Sequence, residues 1–412
     1  MKEKLNILFL VRTFPVTSET FIINQIIDLI DKGHNVRIFS FYKGRSSLHP
    51  KAIEYNLDKL TIYPEFPDTV FKRIQHFVKI LFETKNLHFL KALNIFKYGK
   101  SALTLSNFYH VANIRKLGDD FDIVHAHFGM MYKTFFIAQD LGLLLQSSLI
   151  TTFHGYDMAV ADLKKNKRRY KELFDKNVLI TVNNEYGQSI LHKIKPAYKN
   201  IALLPVGLNT DYYQPDPDKK ENRNFTILYC GRFIKWKGPL NVIEIANIII
   251  NNKGIKDIRF QLIGEGSELE NVKTLIQHYK LQNYIELLGA RSQDEVIETM
   301  KKADVFILPG FTDEKGRAET QGLVIQEAQS MELPVVVTDA GGMKYGVVHN
   351  ENGYIVKEND LNSFVDIIEE LKTDQKKRVA MGKAGREYAI AFFDSKRLGE
   401  RLLTLYNTLI KQ

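Results

Sequence analysis

Residues 225–250 read FTILYCGRFIKWKGPLNVIEIANIII, and the fold is predicted from this stretch outward. An apolar run of strand length (225–232) leads through a glycine-bounded loop into a helical pattern across 239–251. The alternation then repeats, with helices between strand patterns at 258–264, 284–289, 304–310 and 333–339. Strands that alternate with helices predict βαβ units around a mostly parallel sheet.

The first half of the chain shows the same alternation. Its strand patterns lie at 6–11, 35–41, 121–128, 148–155, 177–182 and 200–207. Between the halves, QPDPDKKENRNF (214–225) combines two prolines with six charged residues, which is typical of a linker. We therefore predict an α/β protein with two doubly wound, Rossmann-like domains. They should face each other across an interdomain cleft, where ligands bind in such sheets.

The length of the chain, 412 residues, also favours two domains, because one core rarely supports so many residues. The predicted boundaries follow the linker. They give a first domain at 1–207, a linker at 208–224 and a second domain at 225–394. A closing helix at 395–412 could fold back onto the first domain.

Composition is typical of a folded protein in a reducing compartment. The chain is 44% apolar and 25% charged, and its one cysteine, Cys230, excludes an intrachain disulfide framework. No stretch approaches the roughly 20 apolar residues of a membrane-spanning helix, and no signal peptide is visible, so a cytoplasmic location is expected.

Of the net charge of +9, residues 1–205 carry 29 Lys and Arg against 18 Asp and Glu. The positive excess therefore belongs to the first half.

Residues 70–100 concentrate this positive charge. Seven basic residues meet one acid there, Glu83, while apolar residues recur at helical spacing. Such a basic amphipathic helix can lie on an anionic membrane surface, with Lys72, Arg73 and Lys79 contacting lipid or an acceptor. Ordinary helices with solvated lysines are the alternative, and both interpretations stay open. Nucleic acid is not an expected partner, because no helix-turn-helix, zinc or RNA-recognition pattern accompanies the charge.

The loop GRFIKWKG (231–238) is a candidate phosphate site. It joins a strand to a helix, where free backbone N–H groups and the positive end of the helix dipole attract anions. Arg232 and Lys237 can complete such a site. The loop lacks the GxxxxGK[ST] form of a Walker loop, and solvated lysines in an ordinary loop remain the alternative.

A second strand-loop-helix junction, LIGEGSELE (262–270), offers close backbone approach at Gly264 and Gly266. A GxG without a third glycine is a weak dinucleotide signal. A nucleotide contact and a simple tight turn therefore both stay open.

Histidines mark two strands of the first half. HAH (125–127) puts two imidazoles on one face of a strand, which could suggest a metal site, but no further Cys, His or Glu-x-x-His stands nearby. We read the pair as core or cleft lining, and no metal is expected. FHGYD (153–157) places His154 at the carboxyl end of the next strand, facing the cleft.

Residues 318–328, AETQGLVIQEA, place two glutamates around the start of a predicted helix. Glu319 lies in the loop before that helix and Glu327 about one turn inside it, so they cannot form a carboxylate dyad. An ionised carboxylate only accepts hydrogen bonds, so each can bind two hydroxyls of a sugar or ribose diol. An exposed carboxylate near a helix start is the alternative. Free backbone amides facing a phosphate are expected at Thr320, Gln321, Gly322 and Leu323.

Taken in order, these motifs resemble the retaining GT-B glycosyltransferases of family 4. The resemblance rests on HG (154–155), LPVGLNTDYY (204–213), GR…KG (231–238), GEG (264–266) and the Glu319-x7-Glu327 pair after a Pro-Gly loop. RTFPVTSETFIINQI (12–26) is further similar to members that assemble exopolysaccharides, colanic acid and O-antigens. Many members carry Gly-Gly after the first strand, where this chain has Thr13-Phe14-Pro15, so the first domain departs from the pattern there.

The resemblance implies a role for each matched residue. Glu327 would hold the ribose diol of a nucleotide sugar, and Glu319 the hydroxyls of the donor sugar. Arg232 and Lys237 would neutralise the diphosphate leaving group, and His154 would approach the sugar from the other domain. The further donor-binding residues implied are Gly231, Gly264, Gly266, Thr320, Gln321, Gly322 and Leu323.

The implied activity is retaining transfer of a hexose from a UDP- or GDP-sugar to a glycan acceptor in cell-surface polysaccharide biosynthesis. The acceptor of relatives is often a polyprenyl-diphosphate-linked sugar, which would suit a basic first domain at the inner face of the plasma membrane. No cofactor is expected. A non-hydrolysing nucleotide-sugar epimerase and a non-catalytic nucleotide-sugar-binding protein are alternatives. An NAD-dependent oxidoreductase is disfavoured, because the third glycine is missing.

Overall fold

The computed structural model describes residues 4–16, 19–44, 50–118, 120–158, 162–218 and 224–411. Two separate parallel sheets organise these residues, one in each half of the chain. The prediction of two doubly wound sheets is confirmed. The predicted boundaries at 207 and 224 stay predictions, because residues 219–223 of the linker lie outside the described residues.

Within the described residues, the first sheet has seven strands in the order β3-β2-β1-β4-β5-β6-β7. They are β1 (Asn6–Phe14), β2 (Asn35–Lys43), β3 (Thr61–Ile62), β4 (Ile123–His127), β5 (Ser148–Phe153), β6 (Leu179–Val182) and β7 (Ile201–Leu203). Every neighbouring pair is parallel. The edge strand β3 escapes sequence analysis, because two residues are too short to show a periodicity.

Helices cover both faces of this sheet. They are α1 (Thr20–Asp31), α2 (Pro50–Glu54), α3 (Val70–Thr84), α4 (Ile95–Tyr98), α5 (Lys100–Leu103), α6 (Ser106–Ala112), α7 (Tyr132–Asp140), α8 (Leu163–Arg169), α9 (Lys171–Asp175) and α10 (Glu185–Ile194). The side chain of Asn184 caps α10 by accepting a hydrogen bond from the backbone N–H of Gly187.

In the part of the chain that the structure describes, six parallel strands form the second sheet, in the order β10-β9-β8-β11-β12-β13. They are β8 (Phe225–Cys230), β9 (Ile258–Ile263), β10 (Ile285–Gly289), β11 (Val305–Leu308), β12 (Val335–Thr338) and β13 (Gly353–Val356). Its helices are α11 (Pro239–Asn247), α12 (Leu269–His278), α13 (Gln293–Lys302), α14 (Leu323–Ser330), α15 (Leu361–Thr373) and α16 (Gln375–Phe393). The predicted helix at 293–302 matches α13, which Ser292 and Glu295 start as a capping box.

The central strands are buried on both faces. All five residues of β4 and all four of β11 and of β12 are buried. Parallel strands covered by helices on both sides bury nearly every side chain, which explains their continuous apolar runs in the sequence. This burial holds the carboxyl ends of the strands rigidly, and the loops that follow them point at the cleft.

The last helix, α17 (Ser395–Ile410), returns to the first domain and packs against α1. Leu398, Leu402 and Tyr406 are buried in the core of the first domain. The Tyr406 hydroxyl lies 2.7 Å from Nδ1 of His125 in β4. The chain therefore crosses between the domains twice, once after β7 and once before α17.

The helix α3 exposes much of its apolar surface. Phe77 and Ile80 are buried, but Phe71 and Phe82 are 69% and 76% exposed, and Ile74 is also exposed. Further exposed large apolar side chains follow at Leu87, Leu90, Leu93, Ile95, Phe96 and Leu103. Among the described residues, no helix has both the length and the apolar character that crossing a bilayer requires.

We expect Tyr406→Phe to lower the free energy of unfolding by about 1–3 kcal/mol, because a buried imidazole nitrogen of His125 loses its partner. Urea unfolding measures the change. Tyr55→Phe is the matched control, since the Tyr55 hydroxyl bonds to Asp31 in an exposed contact, and it should change the midpoint little. Equal midpoints for Tyr406→Phe and the wild type would contradict the buried contact.

Candidate active site

The candidate site lies where β8 ends and α14 begins. Lys237 is in the short turn Lys235–Lys237 that follows β8, and Glu319 is in the loop that precedes α14. The Lys237 ammonium lies 2.8 Å from Oε2 of Glu319, and each side chain is only 16% exposed. The two loops singled out in the sequence therefore meet as a largely buried ion pair.

Opposing effects set the charge of Glu319. Burial would raise the pKa of its carboxyl, but the Lys237 ammonium and the backbone amides of Thr320 and Gln321 outweigh burial and hold the pKa below its ordinary value. The Thr320 N–H donates to Oε1 of Glu319 over 3.1 Å. The site thus holds an ionised carboxylate and an ammonium side by side at neutral pH.

Glu327, in the second turn of α14, is in a different environment. Burial raises the pKa of its carboxyl, and a hydrogen bond from Tyr213 and the charge of Lys237 offset this only in part. The Tyr213 hydroxyl also accepts a hydrogen bond from Nε2 of Gln293 over 2.7 Å. Sequence analysis missed Tyr213 as a partner of Glu327, because the two residues lie 114 positions apart.

The glycines of the two strand-loop junctions pack against each other. Gly264 follows β9 with a φ of 144°, and a Cβ there would lie 1.9 Å from the carbonyl oxygen of Gly231. A Cβ on Gly266 would lie 2.3 Å from the carbonyl oxygen of Phe233. The structure therefore brings Gly231, Gly264 and Gly266 together, where only glycine allows the two backbones to approach.

The other cations of the 231–238 loop differ from Lys237. The Arg232 side chain is exposed, and no carboxylate among the described residues pairs with it. Lys235 forms an exposed ion pair with Glu314 over 2.8 Å. Arg232 thus differs from Lys235 and Lys237, which both pair with carboxylates.

His154 reaches the site from the first domain. Its backbone carbonyl accepts a hydrogen bond from Oγ1 of Thr320, the neighbour of Glu319, over 3.2 Å. Its Nε2 lies 3.0 Å from Nδ1 of His127, while its buried Nδ1 has no hydrogen-bond partner in the described structure. Burial lowers the pKa of the His154 imidazole to about 3, so the ring is neutral at physiological pH.

The two histidines of HAH line up behind His154. His125 and His127 are buried and stack with ring centroids 4.2 Å apart, and His127 stacks on His154 at 5.3 Å. His125 lies within 2.7 Å of Thr152 and Tyr406. In the described part of the chain, no group of three or more His, Cys, Asp or Glu side chains could hold a metal ion.

Hydrogen bonds from the first domain hold the loop between Glu319 and α14. Nδ2 of Asn184 donates to the carbonyl of Thr320 over 2.7 Å. The Gln321 side chain accepts from the Val206 backbone N–H and donates to the Val206 carbonyl, both over 2.8 Å. A Cβ on Gly155 would lie 2.1 Å from Cγ2 of Thr320. The sequence contains no local signal for these contacts.

These contacts correct one expectation. The backbone amide of Thr320 is not free, because it donates to the Glu319 carboxylate. An ionised side chain next to free amides competes for them before any ligand can. The donor-binding roles of Gly322 and Leu323, which follow this turn at the start of α14, stay predictions.

The cations assigned to the acceptor or membrane lie on α3. Lys72 is exposed, and Lys79 is exposed and 3.8 Å from Glu83. Arg73 is not a free cation, because its guanidinium donates to the carbonyls of Pro67 and Thr104. Its expected contact with lipid or an acceptor stays a prediction.

Residues 213–388 match the family model described as Glycosyl transferases group 1. WcaL of Escherichia coli strain K12, named as a colanic acid biosynthesis glycosyltransferase, is 27% identical over 97% of this chain and 99% of its own. AmsK of Erwinia amylovora, an amylovoran biosynthesis glycosyltransferase, is 28% identical over 87% of this chain and 89% of its own. The Escherichia coli UDP-Gal:alpha-D-GlcNAc-diphosphoundecaprenol alpha-1,3-galactosyltransferase is 26% identical over 71% of this chain and 76% of its own.

Solved structures share the fold. The crystal structure of Anabaena HepE in complex with UDP superposes with a TM-score of 0.72 at 17% identity, covering 98% of this chain and 100% of that chain. A glycosyltransferase from Rickettsia africae superposes with a TM-score of 0.74 at 21% identity, covering 99% of both chains. The predicted GT-B arrangement of two Rossmann-like domains is confirmed.

We expect Lys237→Met to destabilise the protein in a pH-dependent way. In the wild type, the lowered pKa of Glu319 stabilises the fold above the unfolded-state pKa of ~4.3, and this contribution is lost as pH falls through the folded-state pKa. Without the ammonium, burial raises that pKa, so the carboxylate opposes folding at neutral pH. The difference in unfolding free energy should grow from about pH 3 to about pH 7 and reach about 3 kcal/mol.

Urea unfolding across this pH range measures the difference. Lys235→Met is the matched control from the same loop, since its partner Glu314 is exposed, and it should have little effect at any pH. A difference between Lys237→Met and the wild type that does not vary with pH would show that the ion pair does not control Glu319.

Proposed function

With residues 213–388 identified as a group 1 glycosyl transferase domain, we propose that the protein transfers a hexose from UDP- or GDP-hexose to a lipid-linked glycan acceptor. One observation carries the proposal. A paired ammonium and carboxylate, Lys237 and Glu319, lie close to a second, partly buried carboxylate, Glu327, in the second turn of α14. This places acceptors for sugar hydroxyls next to a cation for phosphate.

The departing diphosphate needs positive charge. Breaking the glycosyl-phosphate bond develops negative charge on the diphosphate and positive charge on the sugar. An ammonium has three donors, so Lys237 can keep its bond to Glu319 and offer two others to phosphate oxygens. Arg232, which is exposed on the same loop, would supply a second cation, so no metal ion is required in this proposal.

The donor's ribose and sugar would occupy the two sides of this cation. Glu327, held by Tyr213, would bind the ribose diol, and Glu319 would accept from the sugar hydroxyls. The free Nδ1 of His154 would give a further hydroxyl a partner across the cleft, and its neutral ring would not repel the developing positive charge of the sugar. On the family resemblance, we further propose that transfer retains the donor's anomeric configuration.

The relatives support a role in cell-surface polysaccharide biosynthesis. Two are named for the biosynthesis of colanic acid and of amylovoran, and a third for an acceptor linked to diphosphoundecaprenol. An acceptor of the third kind would be held at a membrane. The basic first domain, with 29 Lys and Arg against 18 Asp and Glu over residues 1–205, suits such a location.

The exposed apolar side chains between α3 and α5 support docking on an anionic membrane. Monomeric soluble proteins rarely expose so many large apolar residues along one stretch of chain. Lys72 and Lys79 lie between them on α3, so apolar insertion and attraction to anionic lipid would act together. The carbonyl-bound Arg73 would hold the helix to its domain.

We expect Glu327→Gln to reduce transfer by about 100-fold or more, because the amide has no negative charge and replaces one of the two acceptor oxygens with an NH2 donor, so it binds a diol less well than a carboxylate does. The measurement is radiolabelled hexose transfer from UDP- and GDP-hexoses to GlcNAc-diphosphoundecaprenol, alongside donor binding by saturation-transfer NMR. Glu351→Gln, at an exposed glutamate, is the matched control and should be fully active. Unchanged transfer by Glu327→Gln, or epimerised nucleotide sugar without an acceptor, would overturn the proposal.

We expect Phe71→Ser/Phe82→Ser to weaken co-sedimentation with phosphatidylglycerol-rich vesicles by about tenfold or more, since each phenylalanine loses its apolar transfer energy. Tyr42→Ser/Leu145→Ser removes two other exposed large apolar side chains and should bind like the wild type. If both double variants bound equally, membrane docking through α3 would be excluded.

A further inference from the structure

A basic depression lies at the cleft edge of the first domain, outside the donor site. It has a volume of about 590 Å³ and is lined by Lys133, Asp162, Lys164, Lys165, Arg168 and Arg169. Lys133 is in α7, which follows β4, and the others are in or next to α8, which follows β5. Because β4 and β5 are parallel neighbours, the depression lies beside the loop that carries His154.

Among the described residues, four of the five cations of this basic depression have no hydrogen-bonded or ionic side-chain partner, while the Arg169 guanidinium donates to Oδ1 of Asn166 over 3.2 Å. The residues 164, 165, 168 and 169 form two i,i+4 pairs, so they share one face of α8, while Asn166 is buried on the other. Among the described residues, no ion pair joins Lys133, Lys164, Lys165 or Arg168 to a carboxylate. Asp162 is the one acidic residue in the lining.

This clustering of cations destabilises α8 when no anion is bound. Like charges at i,i+4 destabilise a helix, and Lys164 and Lys165 lie in its first turn, where the helix dipole disfavours cations. Arg168 and Arg169, in the last turn, are favoured by the dipole, so helix stability alone accounts for only half of the set. A bound anion would relieve the repulsion among all five cations.

Hydrogen bonds connect the elements around the basic depression to the loop that carries His154. The carboxylate of Asp157 accepts from the backbone N–H groups of His154, Gly155 and Gly129. The Tyr170 hydroxyl, just after α8, donates to the Asp157 carbonyl over 2.7 Å. The β4 loop, the His154 loop and the end of α8 therefore form one hydrogen-bonded unit.

We propose that this basic depression is a subsite for the phosphate-linked part of the acceptor. The proposal rests on the proposed function and names the chemistry of its acceptor, a phosphate or diphosphate ester. Such a group offers two or three negative charges and several acceptor oxygens, which matches a cluster of cations better than a single carboxylate does. Tyr156, 87% exposed between His154 and α8, would offer its ring to the acceptor sugar.

The lining also distinguishes this subsite from a lipid surface. None of its six residues is apolar, whereas the exposed apolar side chains of the first domain cluster on residues 71–103. A surface that lies on a bilayer would combine both kinds of side chain. The anion is therefore expected to come from the acceptor, not from the headgroups of the bilayer.

Isothermal titration with inorganic pyrophosphate tests the subsite, with the full-length protein saturated with UDP to occupy the donor site. We expect Lys164→Gln/Arg168→Gln to raise the Kd for pyrophosphate about tenfold or more, and the wild-type affinity to fall as salt is added. Lys376→Gln/Lys383→Gln removes two exposed cations from α16 and should leave the Kd unchanged. Lys133→Gln, on a separate helix, should also raise the Kd. Circular dichroism checks that each variant is folded.

The outcomes separate the two proposals. Pyrophosphate binding that is absent in the wild type, or unchanged in both Lys164→Gln/Arg168→Gln and Lys133→Gln, would overturn the subsite even if Glu327→Gln still abolished transfer. Loss of binding to phosphatidylglycerol vesicles by Lys164→Gln/Arg168→Gln, with pyrophosphate binding unchanged, would assign the cations to lipid and overturn the subsite equally. Loss of pyrophosphate binding with vesicle binding intact would support it.

Discussion

The ion pair between Lys237 and Glu319 is the contact on which the site depends. A carboxylate as buried as Glu319 would take up a proton if it stood alone. The Lys237 ammonium keeps it charged, and the backbone amides after Glu319 add to this effect. The pair also joins the loop after β8 to the loop before α14, which are 82 residues apart. The same ion pair therefore keeps the carboxylate ionised and holds the two loops together.

The second constraint is that the active loop belongs to both domains. The segment from Thr320 to Gln321 is covalently part of the second domain, yet its carbonyl and side-chain groups are bonded to Asn184 and Val206 of the first. His154 meets the same segment through its carbonyl. These bonds couple the position of the loop that carries Glu319 to the position of the first domain.

Sequence analysis predicts the parts of this protein that depend on local pattern. Strands such as β4 and β8 show continuous apolar runs because helices cover both faces of the sheet, and α13 shows its own cap. The two-residue strand β3 contains too few residues for such a signal. In the site, the glutamates and glycines are predicted because each belongs to a compact motif. The link of Tyr213 to Glu327 and the engagement of Arg73 by carbonyls are not, since both depend on residues that only the folded chain brings together.

The return of α17 to the first domain has a consequence for biosynthesis. Leu398, Leu402 and Tyr406 complete the core that β1 and α1 begin, nearly 400 residues earlier in the chain. Until α17 has left the ribosome, the first domain lacks part of its interior, and α1 presents an uncovered apolar face. The amino-terminal half therefore cannot reach its final packing before the whole second domain has been synthesised, and the assembly of the cleft waits for that helix.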